Sequence, residues 1–248
     1  MTHLGFKTGK ILEPSCGIGY FLTEQPNNDW TAVELDPIPS AIAQYLNPKA
    51  TIYNQGFEKT DLPDRYFDLA IGNVPFGSYS VFEPRYDGLL IHNHFMSKCI
   101  DLVREDGLIA LITSTGTLDA EGNREFRRSL SHKATLIGAI RMPSGTMSNA
   151  KTQVTTDLLI FKRSPEPNAQ LIETGEILGL PINQHFIDHP EHLIGEVCKD
   201  KLYGNDRLAL QSDGRDISNA IRENIRKIKP CYSEIKTSQD LLLIPQEM

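Results

Sequence analysis

The sequence predicts an α/β protein whose parallel strands form a doubly wound sheet with helices on both faces. Short apolar runs alternate with segments of helical periodicity between Gly9 and Leu130, which is the pattern of repeated strand–helix–strand units. Several of these runs end in Gly, Pro, Asp or Asn, the residues that punctuate secondary structure. In such sheets, ligands bind beyond the carboxyl ends of the strands. Those ends are therefore where we look for function.

The individual elements follow from hydrophobic periodicity. Strands are expected over residues 9–13, 30–35, 51–53, 67–72, 108–113, 134–140 and 154–161. Helices are expected from Tyr20 to before Pro26, then over 41–46, 94–103, 124–130 and 217–228. The last two strands are separated by 13 residues without helical periodicity. They are therefore predicted to form an antiparallel hairpin at the edge of the sheet.

A change of composition after Arg163 divides the chain. Residues 164–168, Ser-Pro-Glu-Pro-Asn, are typical of a linker. We therefore predict a core domain over residues 1–163. The C-terminal extension, 164–248, is expected to be partly helical and either to pack on the core or to contact nucleic acid. Its helix carries isoleucines at helical spacing, which indicates a face buried against other elements.

The composition excludes several classes of protein. With 40% hydrophobic and 23% charged residues, and a mean hydropathy of −0.30, the chain is typical of globular proteins. Its apolar runs are far shorter than the roughly 20 residues that span a bilayer. The N-terminus has no stretch like a signal peptide, so we expect a cytoplasmic protein. The four cysteines include no Cys-x-x-Cys pair, so neither a metal site nor a disulfide framework is predicted.

The charge is distributed unevenly along the chain. The net charge is −7, so any contact with nucleic acid must come from a local patch rather than from the overall field. Residues 120–163 contain eight Lys or Arg against three acids, a local charge of +5. This segment is either an ordinary solvated surface or a surface that contacts phosphates. The sequence leaves both interpretations open.

The first predicted strand ends in a glycine turn. Residues 13–19 read Glu-Pro-Ser-Cys-Gly-Ile-Gly, and Gly17 and Gly19 lack the Cβ that would keep a ligand away from the backbone. A turn of this kind is also typical of tight strand–helix packing. The third glycine of the dinucleotide fingerprint and the lysine of a Walker motif are both missing, so phosphate is not the expected ligand.

The second predicted strand ends in an acid. Glu34 lies about 20 residues beyond the glycine turn, the spacing at which a carboxylate reaches ribose hydroxyls in nucleotide-binding folds. One carboxylate accepts hydrogen bonds from both hydroxyls of a vicinal diol. Leu35, the next residue, offers an apolar surface to a purine face. The alternative is an exposed glutamate at a strand end with no ligand.

The end of the fourth predicted strand carries the most specific signal. Asn73, Val74, Pro75 and Phe76 would present an amide oxygen, a backbone carbonyl and an aromatic ring to one planar substrate. The two acceptors bind both hydrogens of an exocyclic amine. They draw its nitrogen toward tetrahedral geometry, which frees the lone pair for attack. No general base is then needed before transfer.

Taken together, these motifs resemble the S-adenosylmethionine-dependent adenine-N6 DNA methyltransferases. The family's Asn/Asp-Pro-Pro-Tyr/Phe motif is matched at Asn73, Pro75 and Phe76; Val74 replaces the first proline, where only a backbone carbonyl is required. The family's glycine motif matches residues 12–22, and its acidic motif matches Glu34. Residues 67–79, 92–103, 111–119 and 138–156 further resemble the methylase segment of very large helicase-linked proteins of phages and conjugative elements.

The resemblance implies a Rossmann-like class I methyltransferase fold, with seven mostly parallel strands and an antiparallel edge hairpin. It implies catalysis by Asn73, Val74, Pro75 and Phe76. The residues expected to hold S-adenosylmethionine are Glu13, Pro14, Cys16, Gly17, Gly19, Glu34, Leu35, Phe57 and Glu58. The residues expected to contact double-stranded DNA and its flipped adenine are Arg141, Met147 and Lys151.

Two departures from the family bear on partners. The upstream motif that closes over the methionine end of the cofactor is not found before Glu13, and no compact target-recognition domain is evident after Arg163. We therefore expect that a partner subunit supplies one or both functions in a restriction-modification setting. Two other functions remain open: methylation of a protein glutamine, whose amide also offers an NH₂ group, and a non-catalytic methylase-fold subunit.

Overall fold

The computed structural model describes residues 1–146, 154–164, 169–202 and 205–232. Its strands are β1 (Lys10–Glu13), β2 (Asp29–Glu34), β3 (Thr51–Asn54), β4 (Phe67–Asn73), β5 (Val103–Ser114), β6 (Ala134–Met142), β7 (Thr156–Arg163), β8 (Thr174–Ile177), β9 (Leu180–Asn183), β10 (Glu196–Leu202) and β11 (Asn205–Gln211). Its helices are α1 (Tyr20–Glu24), α2 (Pro37–Leu46), α3 (Ile91–Leu102), α4 (Gly116–Asp119), α5 (Arg124–Ser131), α6 (Ala169–Ile172), α7 (Gln184–Asp188) and α8 (Ile217–Lys227).

The main sheet has seven strands in the order β3-β2-β1-β4-β5-β7-β6. The first five of these pair in parallel. Strand β7 is antiparallel to both β5 and β6, which confirms the predicted hairpin. The strand order reverses between β1 and β4. At such a point the connections that leave the two strands run to opposite sides, and a crevice forms at their carboxyl ends.

Two buried clusters cover the faces of this sheet. Leu12 and Ala70 belong to one cluster, whereas their neighbours Ile11 and Leu69 belong to the other. Because successive side chains of a strand point to opposite faces, this alternation shows that each strand contributes to both layers. The parallel strands are thus covered on both sides, as expected of a doubly wound sheet.

Helix α3 begins three residues before the predicted start, at Ile91. The polar residues His92, Asn93 and His94 interrupt the apolar pattern, so periodicity alone did not extend the helix to them. In the structure, every residue of this helix is buried. A helix that is enclosed on all sides has no solvent-facing stripe. Hydrophobic periodicity therefore cannot predict where such a helix begins and ends.

The described part of the extension shares the core of the first 163 residues. Leu171, Phe186 and Leu210 belong to the same buried cluster as α3. The chain also returns to the N-terminus, where the backbone amide of Tyr232 donates to the carbonyl of Leu4 at 2.9 Å. The division at residue 163 stays a prediction. No helix within the described ranges is long and apolar enough to cross a membrane.

Candidate active site

A cavity of about 520 Å³ opens at the carboxyl ends of β1, β2 and β4. Its other walls come from the 3₁₀ turn Phe57–Lys59, the loop after β4 and the start of α3. The structure brings nine predicted site residues to its lining: Pro14, Glu34, Leu35, Phe57, Glu58, Asn73, Val74, Pro75 and Phe76. Three strand ends far apart in sequence therefore meet at one cavity.

Glu34 is held in place by the backbone of the neighbouring turns. Its Oε2 accepts a hydrogen bond from the backbone amide of Gly17, and its Oε1 accepts one from that of Asp36, each at 2.8 Å. A carboxylate has about four acceptor sites, so two remain for a ligand. The carboxylate is thus oriented before any ligand binds.

The remaining predicted cofactor residues, Glu13, Cys16, Gly17 and Gly19, are not among the residues that line the cavity. Gly17 and Gly19 both adopt positive φ angles, of 53° and 80°, which favour glycine. A Cβ on Gly19 would lie 3.1 Å from the Cβ of Ala43 in α2. Gly19 therefore serves close packing between α1 and α2, whereas a Cβ on Gly17 would meet no atom within 4 Å. Cys16 is buried in the same cluster as Ile11 and Leu69.

Glu13 is a buried acid at the end of β1. It is 3% exposed, and its Oε2 has no hydrogen-bond partner among the residues that the structure describes. Burial, together with the nearby charge of Glu34, raises the pKa of Glu13 to about 9. The carboxyl group is therefore protonated at neutral pH and able to donate a hydrogen bond.

The end of β4 is fixed by its own backbone. The Ser15 hydroxyl donates to the carbonyl of Asn73 at 2.8 Å, and the amide of Val74 donates to the carbonyl of Ile112 at 3.1 Å. The Asn73 side chain behaves differently, because its Oδ1 is buried and accepts no hydrogen bond from any described residue. A buried acceptor without a donor is costly, so this oxygen is suited to a ligand's N–H group.

Sequence reasoning missed part of the cavity lining. The lining residues that were not predicted are Ser15, Val33, Gln55, Gly56, Tyr79, Val81, Ile91 and Phe95. Ile91 and Phe95 lie four residues apart on α3, a spacing that places both side chains on one helix face. The ring of Phe95 packs 4.9 Å from that of Phe57. No local pattern distinguishes this pair from the other apolar residues of α3, because every residue of that helix is buried.

The predicted role of Arg141 in DNA contact is wrong. Arg141 lies within β6, is 1% exposed, and pairs with Asp157 and Asp119, each at 2.7 Å. Both acids are buried beside it, so the guanidinium is enclosed and cannot reach a phosphate. Met147 and Lys151, the other predicted substrate contacts, lie outside the described residues and remain predictions.

The described parts of the wider basic segment, residues 120–146 and 154–163, do not form a surface of unpaired cations either. Arg127 and Arg163 are buried like Arg141. The other described cations of the segment pair with acids: Arg124 with Glu173, Arg128 with Glu125, Lys133 with Asp101 and Lys162 with Asp106. Among the described residues, the local excess of positive charge is therefore largely neutralised within the fold.

The chain is similar to one curated phage protein. No family model matched it. It is 29% identical over 179 residues to the defense against restriction protein B of Escherichia phage P1, and the match covers 69% of this chain. The chain spans only 8% of that protein's length.

Solved structures show the same fold. The type I restriction enzyme EcoKI M protein aligns with 97% of this chain and 73% of its own, with a TM-score of 0.58 and 15% identity. A protein described as the modification subunit of a type I restriction enzyme from Vibrio vulnificus aligns with 64% of this chain and 41% of its own, with a TM-score of 0.55 and 19% identity.

A Listeria monocytogenes protein described as a class I S-adenosylmethionine-dependent methyltransferase aligns with 64% of this chain and 55% of its own, with a TM-score of 0.55 and 19% identity. The chain therefore has the Rossmann-like fold of class I methyltransferases, as predicted. The comparisons also confirm the resemblance to restriction-modification methyltransferases and to a phage protein.

Proposed function

We propose that this chain transfers a methyl group from S-adenosylmethionine to the exocyclic N6 amine of adenine in DNA, after the base has rotated out of the duplex. The observation that carries the proposal is the Asn73 side chain. It lines the cavity, and its Oδ1 is a buried acceptor with no donor among the described residues. Phe76 lines the same cavity and offers an aromatic ring to a planar base.

The residues around the cavity fit the cofactor. Glu34 has free acceptor sites for two ribose hydroxyls, and the rings of Phe57 and Phe95 give a purine an apolar wall. Glu58 also lines the cavity, with its carboxylate close to Gly56, and can accept a hydrogen bond from the amine of the purine. Glu13, which is protonated at neutral pH, lies at the end of β1, directly before the glycine turn. When bound, S-adenosylmethionine supplies a methyl group activated by a positively charged sulfur.

The chain's own part in transfer is electrostatic. Asn73 Oδ1 and the carbonyl of Val74 accept the two amine hydrogens of the substrate and favour the tetrahedral nitrogen whose lone pair attacks. As that nitrogen gains the methyl group it becomes positively charged, and the same two oxygens stabilise the charge. The extra proton then leaves to water. Phe76 keeps the base in the plane required for attack.

Recognition of DNA requires more than the described surface offers. Rotating a base out of the duplex costs a few kcal/mol. Contacts between the protein and other parts of the DNA normally offset this free energy. The described cations of residues 120–163 are buried or paired with acids, so the described part of this segment offers no exposed, unpaired cation to a phosphate. We infer that a partner subunit, or another segment of a longer protein, supplies target recognition. The type I restriction-modification neighbours support this division of labour.

The proposal is tested by methyl transfer from labelled S-adenosylmethionine to three substrates. These are duplex DNA, the same duplex with its adenines replaced by 2-aminopurine, and a glutamine-containing peptide. Label in the first substrate only supports the proposal, provided that Asn73→Ala abolishes it. Label in the peptide would instead establish the protein-glutamine reaction. Cofactor binding without transfer, even with a host lysate added, would contradict catalysis and favour the non-catalytic subunit.

A further inference from the structure

Lys98 is a buried cation next to the cavity. The residue is 4% exposed, and its Nζ donates to the carbonyl of Phe57 at 2.7 Å, to that of Thr60 at 3.0 Å and to Glu83 Oε1 at 3.0 Å. An ammonium group has three N–H donors, so each has a partner. Lysine is rarely buried unless it is paired in this way.

The two carbonyls belong to one wall of the cavity. Phe57 is the first residue of the 3₁₀ turn Phe57–Lys59, and Thr60 directly follows the turn. Phe57 and Glu58 of this turn line the cavity. The ammonium also lies 4.8 Å from the centre of the Phe57 ring. Bonds at both ends of so short a turn fix its position relative to α3, on which Lys98 lies.

The third partner belongs to a second segment that lines the cavity. Glu83 lies in the loop of residues 77–90 that joins the Asn73 motif to α3, and Tyr79 and Val81 of this loop line the cavity. The carboxylate also accepts from Nε2 of His94 at 2.7 Å. Burial lowers the pKa of His94, so its ring is neutral at pH 7 and the charge that balances Glu83 is that of Lys98.

We propose that Lys98 is a positioning residue for the cofactor: it joins the Phe57 turn to the loop of residues 77–90 and fixes the relative position of these two parts of the cavity wall. This inference rests on the proposed function, because it assumes that the purine of S-adenosylmethionine lies against the Phe57 turn. A purely structural role predicts lower thermal stability alone. A positioning role predicts weaker binding at temperatures where the protein is fully folded.

The variant that tests this is Lys98→Met, which keeps much of the side chain's volume and removes its three hydrogen bonds. Lys133→Met is the control, since Lys133 also pairs with an acid, Asp101 of the same helix at 2.9 Å, but bonds neither to the Phe57 turn nor to the loop of residues 77–90. Affinity is measured by calorimetry for S-adenosylmethionine and for 5′-methylthioadenosine, which retains the purine and the ribose. Melting temperatures are measured in parallel.

We expect Lys98→Met to raise the dissociation constants of both ligands at least 10-fold, while Lys133→Met changes them less than twofold. We also expect the rate at saturating cofactor to fall less than threefold, since Asn73 is unaffected. Unchanged affinity in folded Lys98→Met, or an equal loss in Lys133→Met, would overturn the inference. If Lys98→Met does not fold, Glu83→Gln serves instead, with an expected two- to fivefold loss and the same overturning result. A wild-type protein without affinity for S-adenosylmethionine would instead refute the proposed function.

Discussion

The carboxylate of Glu34 and the backbone amide of Gly17 are joined by a hydrogen bond of 2.8 Å. This bond connects the end of β2 to the glycine turn that follows β1. The turn therefore has two roles. Its positive φ angles let the chain enter α1, and its amide orients the acid that we expect to bind ribose. Loss of that acid should disturb the ligand more than the fold.

We expect Glu34→Ala to weaken binding of S-adenosylmethionine by about 1.5–3 kcal/mol, roughly 10- to 100-fold, the range for hydrogen bonds to a charged group. Asp29→Asn is the matched control, because it removes an exposed carboxylate at the opposite end of the same strand. Titration calorimetry measures both. Equal affinities of wild type and a folded Glu34→Ala variant would remove Glu34 from the site.

Asn73→Ala and Phe76→Ala should fail in different ways. Loss of Asn73 removes an acceptor that acts on the developing charge, so the transfer rate should fall about 10²-fold or more while cofactor binding survives. Loss of Phe76 removes a stacking surface worth about 1–3 kcal/mol per base, so the apparent affinity for DNA should fall as well. Single-turnover kinetics separate the two effects. Normal transfer by folded Asn73→Ala would refute its catalytic role.

Glu13 should make stability depend on pH. Its pKa of about 9 in the folded state exceeds the ordinary value of 4.5, so the folded protein keeps a proton that the unfolded chain releases. The free energy of unfolding should therefore fall as pH rises from 4.5 to 9. Glu13→Gln should remove this slope and stabilise the protein by about 1–3 kcal/mol at pH 8. Urea denaturation at pH 5 and pH 8 checks this, and parallel pH profiles would contradict it.

The buried pair of Arg141 and Asp157 should matter for stability rather than for DNA. Asp157→Asn removes one of the two carboxylates that pair with the buried guanidinium of Arg141. Removing one partner of a buried ion pair typically lowers the free energy of unfolding by about 3–5 kcal/mol. Arg128→Met, which breaks an exposed pair with Glu125, should cost less than about 1 kcal/mol. Chemical denaturation compares the two variants. A folded Asp157→Asn protein as stable as wild type would show that the pair is not needed.

The sequence by itself determined the seven strands of the main sheet, the longer helices and the three strand ends that carry the site. It did not predict strands β8–β11 or the short helices α4, α6 and α7. The glycine turn, Glu34 and the Asn73 motif are each defined by residues adjacent in the sequence. Their place at strand ends can therefore be predicted without a structure. The antiparallel hairpin was predictable for a similar reason, because the short connection between its strands leaves no room for a crossover helix.

Only the tertiary structure decided which charges face solvent. Arg141 and Lys98 have the same local signature as surface cations. Their burial depends on Asp157 and Glu83, which lie 16 and 15 residues away along the chain and become neighbours only when the elements pack. The sequence likewise did not reveal that Ile91 and Phe95 line the cavity, because α3 is enclosed on all sides. Charge and helix-face assignments depend on which elements pack together, and local sequence does not encode that.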